Sequence, residues 1–146
     1  MVVRQATIAD LDQLVPLFDA YRQFYNKSTD VNGAEIFLRE RIVSGESVIF
    51  VAEDDGALTG FVQMYPLFSS TRMKRLWLFN DLFVHPVHRG KGTSVLLIEA
   101  AKDLCRTSGS CGMMLETAMD NSIANVLYMK TGWELDVEHN YYFWGV

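Results

Sequence analysis

The sequence predicts a mixed α/β fold, a sheet of about seven strands flanked by four helices in the order βααβββαβαββ. Three observations predict it. Apolar residues first recur at helical spacing, at Leu11, Leu14, Val15, Phe18, Tyr21 and Tyr25. From Ser47 onward the pattern changes to strands, with Asp54-Asp55-Gly56 as a hairpin turn. Between Asp81 and Ser94 a strand runs through two glycines directly into a helix, as a crossover unit requires.

The elements follow in order. Residues 2–6 read as a short strand, and Thr7-Ile8-Ala9-Asp10 as a capping box with Asp in place of Glu. The first helix follows, and Pro16 inside it is expected to kink it or mark a second start. Residues 26–33 are polar and loop-like, and residues 34–43 form a second amphipathic helix closed by Ser44-Gly45. Strands are expected at 47–53, 58–65 and 75–84, with a loop at 66–74. Residues 92–107 are helical, with Leu97, Ile98, Ala101, Leu104 and Cys105 on one stripe. A strand at 112–117 and a helix at 121–131 come next, the helix ended by Gly132 as a left-handed cap. Residues 133–137 and 140–144 read as two last strands.

The 146 residues suit one domain, 1–146, large enough to bury a full core without metals or disulfides. Thirteen basic against 18 acidic residues leave a net charge of -5, which argues against nucleic acid as a partner and for a cationic one. The two cysteines, Cys105 and Cys111, match neither a disulfide framework nor a zinc pattern and read as reduced thiols of a cytoplasmic protein. No secretory signal is visible at the N-terminus, and no apolar run is long enough to span a membrane. His85, His88 and His139 are not at metal-ligand spacing, so no metal is assigned.

Chemistry is written in two segments. In the first, Arg89-Gly90-Lys91-Gly92 joins a strand to a helix. The glycines allow close backbone approach, and the helix start offers free amides and the positive end of the dipole. Such a turn suits a phosphate, although a solvated basic turn has the same letters. It is neither a Walker loop nor G-x-G-x-x-G. In the second segment, Ala124, Leu127, Tyr128 and Thr131 share a helix face, where plain packing is the simplest role for the tyrosine.

Taken together, in this order and on these elements, the two segments resemble the GNAT superfamily of acyl-CoA N-acyltransferases. Arg89, Gly92 and Ser94 fall in the places of its [RQ]-x-x-G-x-[GA] motif, Ser94 replacing the usual Gly or Ala. Asn121, Ala124, Leu127, Tyr128, Gly132 and Trp133 match its N-x-x-A-x-x-L-Y-x-x-x-G-[FW] motif throughout. The similarity runs from Arg4 to Trp144. Tyr65-Pro66-Leu67-Phe68-Ser69, residues 77–84 and residues 21–25 are similar to the branch that includes polyamine, thialysine, histone-type and D-amino-acid acetyltransferases.

The resemblance implies a splayed sheet and acetyl-CoA as donor. It implies that the backbone of Gly90, Lys91, Gly92, Thr93 and Ser94, with Arg89 beside it, takes the pyrophosphate. The backbone of Leu82, Phe83 and Val84 would pair with the pantetheine, an N–H near Phe83 facing the thioester carbonyl. Asn121 is expected to hold a pantetheine amide, and Tyr128 to protonate the leaving thiolate. A phenol with a pKa near 10 donates to a thiolate of about 8.5 without being ionised itself. An alkylammonium acceptor must lose a proton before it attacks. Asp81, a carboxylate in an apolar strand, is the candidate base, with Glu116 on the next strand and water as competitors. Tyr21, Tyr25, Glu35 and Tyr65 are candidate acceptor contacts, since aromatic faces and carboxylates suit a cation.

The leading expectation is acetyl transfer to a primary amine of a small cationic molecule, such as a polyamine or amino acid. Protein lysine acetylation and a non-catalytic acyl-CoA-binding module are the alternatives, and an intact Tyr128 speaks against the latter. The aromatic run Tyr141-Tyr142-Phe143-Trp144 finishes the sheet or pairs across a homodimer interface.

Overall fold

The structure, a computed structural model, describes all of residues 1–146. It resolves into two compact units, Met1–Leu115 and Glu116–Val146. The first holds a five-stranded mixed sheet in the order β1-β2-β3-β4-β5, with β1 at Val2–Gln5, β2 at Val48–Asp54, β3 at Ala57–Ser69, β4 at Lys74–Val84 and β5 at Met113–Met114. Helices α1 (Leu11–Phe24), α2 (Val31–Val43) and α3 (Thr93–Thr107) belong to it as well. The fold is the predicted mixed α/β class, with five strands in place of about seven.

The entry to α1 follows its capping box: the Asp10 carboxylate accepts from the Thr7 amide at 2.8 Å. Arg4 clasps the same carboxylate through two nitrogens and pulls its pKa down to about 2. Helix α1 continues through Pro16 and does not restart. The amide that proline lacks would have met the carbonyl of Asp12, and both residues are on the exposed face, where the lost hydrogen bond costs least. Helix α2 begins three residues earlier than expected, because the Asp30 side chain accepts from the Gly33 amide at 2.9 Å and caps it.

A buried carboxylate ties α1 to the loop before α2. Asp19 is only 4% exposed and accepts from the Asp30 amide (2.8 Å), the Thr29 hydroxyl (2.6 Å) and Gln23 (2.9 Å), with Arg22 alongside. These donors, the Asp30 amide first, hold its pKa below the usual carboxylate range. A depressed pKa contributes stability that is present above about pH 4 and is lost as pH falls through the folded value. Asp19→Ala strands those donors and should lower unfolding stability by about 2–4 kcal/mol at neutral pH, a difference that shrinks in acid. A urea titration showing no change at pH 7 would count against this role.

The sheet departs from expectation at both ends of the β3–β4 hairpin. Strand β3 runs on through Pro66 to Ser69, where a loop is expected, and pairs with β4 as far as Lys74. Pro66 is tolerated because β2 ends at Val48, opposite Met64, so beyond Met64 that side of β3 has no ladder that needs an amide. The 112–117 strand shrinks to Met113–Met114, which pair in parallel with Trp77 and Leu78.

Helices α1 and α2 cover one sheet face. Leu14, Phe18 and Leu38 pack there with Ile49, Val51, Phe61 and Phe83. The period of two sends Ala52 and Val62 to the other face, where α3 packs across β1 to β4 and buries Leu97, Ile98 and Ala101.

In the second unit, α4 (Ser122–Lys130) is capped at its start by Asn121, whose Oδ1 accepts from the Ala124 amide at 3.2 Å. Gly132, at φ 83°, ends it in the left-handed conformation as expected. The two predicted last strands do not form. Residues 134–146 carry no strand, and Asp136 instead folds a local turn, accepting from the amides of Glu138 (2.9 Å) and His139 (3.1 Å).

Candidate active site

The site in the first unit is built on β4. A bulge at Asn80 separates the pairs Gln63↔Asp81 and Met64↔Phe79. It shifts the strand's alternation by one residue, a common device for re-aiming side chains beside a site. Asp81 ends on the α1 face, 5% exposed. Gln63 Nε2 donates to its Oδ2 at 2.8 Å and Asn80 Nδ2 to its Oδ1 at 2.9 Å, while Ser47 Oγ holds Gln63 Oε1 at 2.8 Å. The Tyr21 hydroxyl donates as well. Burial nonetheless dominates and pushes the Asp81 carboxyl above the usual range.

Tyr65 and Tyr25 stand close enough to feel that carboxylate. Burial first, and the Asp81 charge second, raise both phenols, so they remain neutral. The structure therefore brings Tyr21, Tyr25, Tyr65 and Asp81 into one neighbourhood. Beside it, between α1 and α2, lies a cavity of about 430 Å³. Phe18, Tyr21, Tyr25 and Phe37 line it, with Arg22, Lys27 and Asp30 among the polar residues. Tyr21 belongs to both cavity wall and Asp81 cluster. Glu35 is not among the lining residues and pairs with Arg39 at 2.7 Å along α2. Glu116 lies in the second unit and is exposed.

The far side of β4 is open. Beyond Trp77 and Leu78 no strand pairs with that side of β4, along Phe79–Val84. His85 donates to Thr59 O at 2.9 Å, which makes 85/59 a hydrogen-bonded pair. Alternation then turns the amides of Asp81 and Phe83 toward β3, and those of Leu82 and Val84 toward the open edge. Of the expected pantetheine contacts, Leu82 and Val84 thus present their amides, whereas Phe83 contributes its ring to the core. Gly60 permits the close β3–β4 approach, since a Cβ there would lie 2.7 Å from the Phe83 carbonyl oxygen.

The turn into α3 completes the arrangement. Arg89 Nε donates to the Val84 carbonyl at 2.9 Å, clasping the turn to the end of β4. Gly90 and Gly92 sit at φ 77° and 81°, and a Cβ at either would meet nothing within 4 Å. Val95 is the first amide of α3 that bonds back, to Gly92, which leaves the amides of Thr93 and Ser94 at the free helix start. Lys91 and Ser94 stand near that start with Lys91 exposed, and Thr93 is buried. Open space over left-handed glycines, free amides and a cation fit a pyrophosphate.

In the second unit, Tyr128 meets Trp133 edge-on with ring centroids 5.9 Å apart. Asn121 Oδ1 is engaged as the α4 cap. Sequence reasoning missed Asn80, Gln63, Asp19 and Phe37. Gln63 had a signal, as the one amide in the apolar run 58–65.

An anion-binding helix start, an open strand edge and a buried carboxylate beside an aromatic cavity are the layout of a two-substrate group transferase. The Acetyltransferase (GNAT) family matches residues 14–133. The chain is 44% identical over 142 residues to the uncharacterized N-acetyltransferase YhfO of Bacillus subtilis (strain 168), spanning 97% of this chain and 95% of that protein. The crystal structure of a probable acetyltransferase, 36% identical, superposes with a TM-score of 0.96 over 100% of this chain and 98% of that one. The aminoglycoside N-acetyltransferase AAC(6')-Iy, in complex with CoA, shares the fold at 19% identity and TM-score 0.82, covering 97% of this chain and 93% of that one. The chain belongs to the GNAT acetyltransferase family. It is an acyl-CoA N-acyltransferase (EC 2.3.1.-) that uses acetyl-CoA.

Proposed function

We propose that residues 1–146 form one catalytic domain that acetylates the primary amine of a small cationic acceptor by direct attack in a ternary complex. The observation that carries this reading is the buried Asp81, hydrogen-bonded by Tyr21 and close to the neutral phenols of Tyr25 and Tyr65, with Tyr21 and Tyr25 also lining an aromatic cavity. An incoming ammonium finds a counter-charge at Asp81 and aromatic faces at Tyr21, Tyr25 and Tyr65. The raised affinity of Asp81 for a proton brings it nearer the operating pH, which suits a base. The polar lining mixes Arg22 and Lys27 with Asp30, and this favours an acceptor bearing an acid as well as an amine, such as an amino acid, over a polyamine.

Acetyl-CoA, when bound, supplies the activated acetyl group. In this reading the amides of Thr93 and Ser94 and the Gly90–Gly92 backbone hold its pyrophosphate. The open-edge amides of Leu82 and Val84 align its arm and face the oxygen on which charge develops. Asn121 contributes through Nδ2, since its Oδ1 is occupied. The Tyr128 hydroxyl gives a proton to the departing thiolate. The free thiols of Cys105 and Cys111 support a cytoplasmic setting, and the exposed aromatic C-terminus supports a homodimer.

Acetyl-CoA at about a hundred times its Kd should add about 2.7 kcal/mol to native-state stability, a rise of about 8 °C in Tm. A flat melting curve at millimolar cofactor would refute the binding site. Turnover across polyamines, amino acids and lysine peptides then tests the acceptor, and activity confined to peptides would move the reading to protein acetylation.

A further inference from the structure

An amide in the middle of an apolar strand is costly unless both of its ends are satisfied. Gln63 of β3 is fully buried and meets that demand from two sides. Its Oε1 accepts from the Ser47 hydroxyl at 2.8 Å, and its Nε2 donates to Asp81 Oδ2 at 2.8 Å. The two contacts fix one orientation of the amide. Turned over, it would set its oxygen against an ionised carboxylate oxygen with no proton between them. Ser47, half-buried just before β2, supplies the proton that keeps Nε2 toward Asp81.

The other two donors to Asp81 are held less firmly. Asn80 donates to Oδ1 from an exposed position, where water competes for it. Tyr21 donates from the wall of the cavity, where an acceptor would touch it. Gln63 reaches the carboxylate from inside the sheet, through a contact that neither water nor an entering acceptor displaces. The ionisable neighbours besides Tyr21 are the phenols of Tyr25 on α1 and Tyr65 on β3, both neutral. Arg41 of α2 acts on Tyr65 and is itself paired with Glu40 and Glu46. The groups that act on Asp81 include no cation, so within the chain its charged form leans on neutral donors.

We propose that Gln63, oriented by Ser47, is a positioning residue for acetyl transfer. Resting on the reading of Asp81 as the base, this role is to fix the direction of the carboxylate and to keep it in the ionised, proton-accepting form. Each donor to a carboxylate favours its charged form. Losing Gln63 therefore raises the proton affinity of Asp81 beyond what burial already does.

The experiment titrates the Asp81 carboxyl signal against pH by NMR of the full chain carrying isotope-labelled aspartate. Loss of the signal in Asp81→Asn assigns it. Gln63→Met keeps the length and bulk of the side chain and removes the donor, and should move the midpoint up by about one to two pH units. Ser47→Ala should move it the same way by less, and Ser47→Thr, which keeps the hydroxyl, should leave it in place. The acid limb of kcat/KM should move with the midpoint, and the rates of parent and variant should converge above it. A Gln63→Met midpoint equal to the parent's overturns the inference and keeps Asp81 as the base. So does a kcat/KM lowered equally at every pH, which would make the role structural only. A parent acid limb that does not follow Asp81 overturns the base reading, and the inference with it. If Gln63→Met does not fold, Ser47→Ala decides, and a midpoint equal to the parent's overturns the inference.

Discussion

Asp81→Asn should lower kcat/KM by about 10²–10³-fold, the contribution of a positioned general base. The substitution keeps the side chain's shape and leaves an acceptor oxygen for Tyr21 or Gln63. What it removes is the charge that pairs with the incoming ammonium and the site that takes its proton. The acceptor must then arrive already deprotonated, so the variant's rate should climb steadily toward the amine's own pKa, near 10. The parent should instead level off once Asp81 has ionised. Stability should report the same group with the opposite sign. Burial raises the Asp81 pKa, so the folded state prefers the protonated form. Stability is therefore lost as pH rises from about 4 through the raised folded value, and Asp81→Asn escapes that loss. The Tm of the variant relative to the parent should increase with pH over this window. Unchanged kcat/KM with an unchanged profile would remove Asp81 from the chemistry. A loss on Glu116→Gln in its place would assign the base there.

Tyr128→Phe should lower kcat by about 10²-fold while Kd for acetyl-CoA moves by no more than a few-fold. The ring's edge-on packing against Trp133, at 5.9 Å, is preserved by phenylalanine, so the helix end should remain intact. Only the hydroxyl is lost, and with it the proton for the leaving thiolate. Thioester analogues with more acidic leaving groups should suffer less, because their thiolates need less help. An equal loss for all leaving groups, or none for any, would contradict a general-acid role.

The legibility of this protein varied along the chain for identifiable reasons. Helix α1 was readable because its apolar stripe, Leu11 to Tyr25, has one period over four turns. Its continuity through Pro16 was not, because the cost of proline depends on which face the lost hydrogen bond occupies. The glycine turn at 89–92 was readable because only glycine tolerates the φ values found there. The asymmetry between Phe83 and its neighbours was hidden, since it depends on where the Asn80 bulge falls in the ladder. Asp81 was recognisable as an oddity in an apolar strand, but its donors Gln63 and Asn80 required the β3–β4 register.

What the sequence determined by itself was local: element types, the anion-binding turn, the helix caps and the set of tyrosines. These rest on backbone propensities and on spacings of a few residues. Tertiary structure alone decided which of those residues meet. It gathered Tyr21, Tyr25, Tyr65 and Asp81 and left Glu35 paired with Arg39 along α2. It also decided that residues 134–146 carry no strand. A strand exists only with a partner, and the identity of that partner is not a local property of the chain.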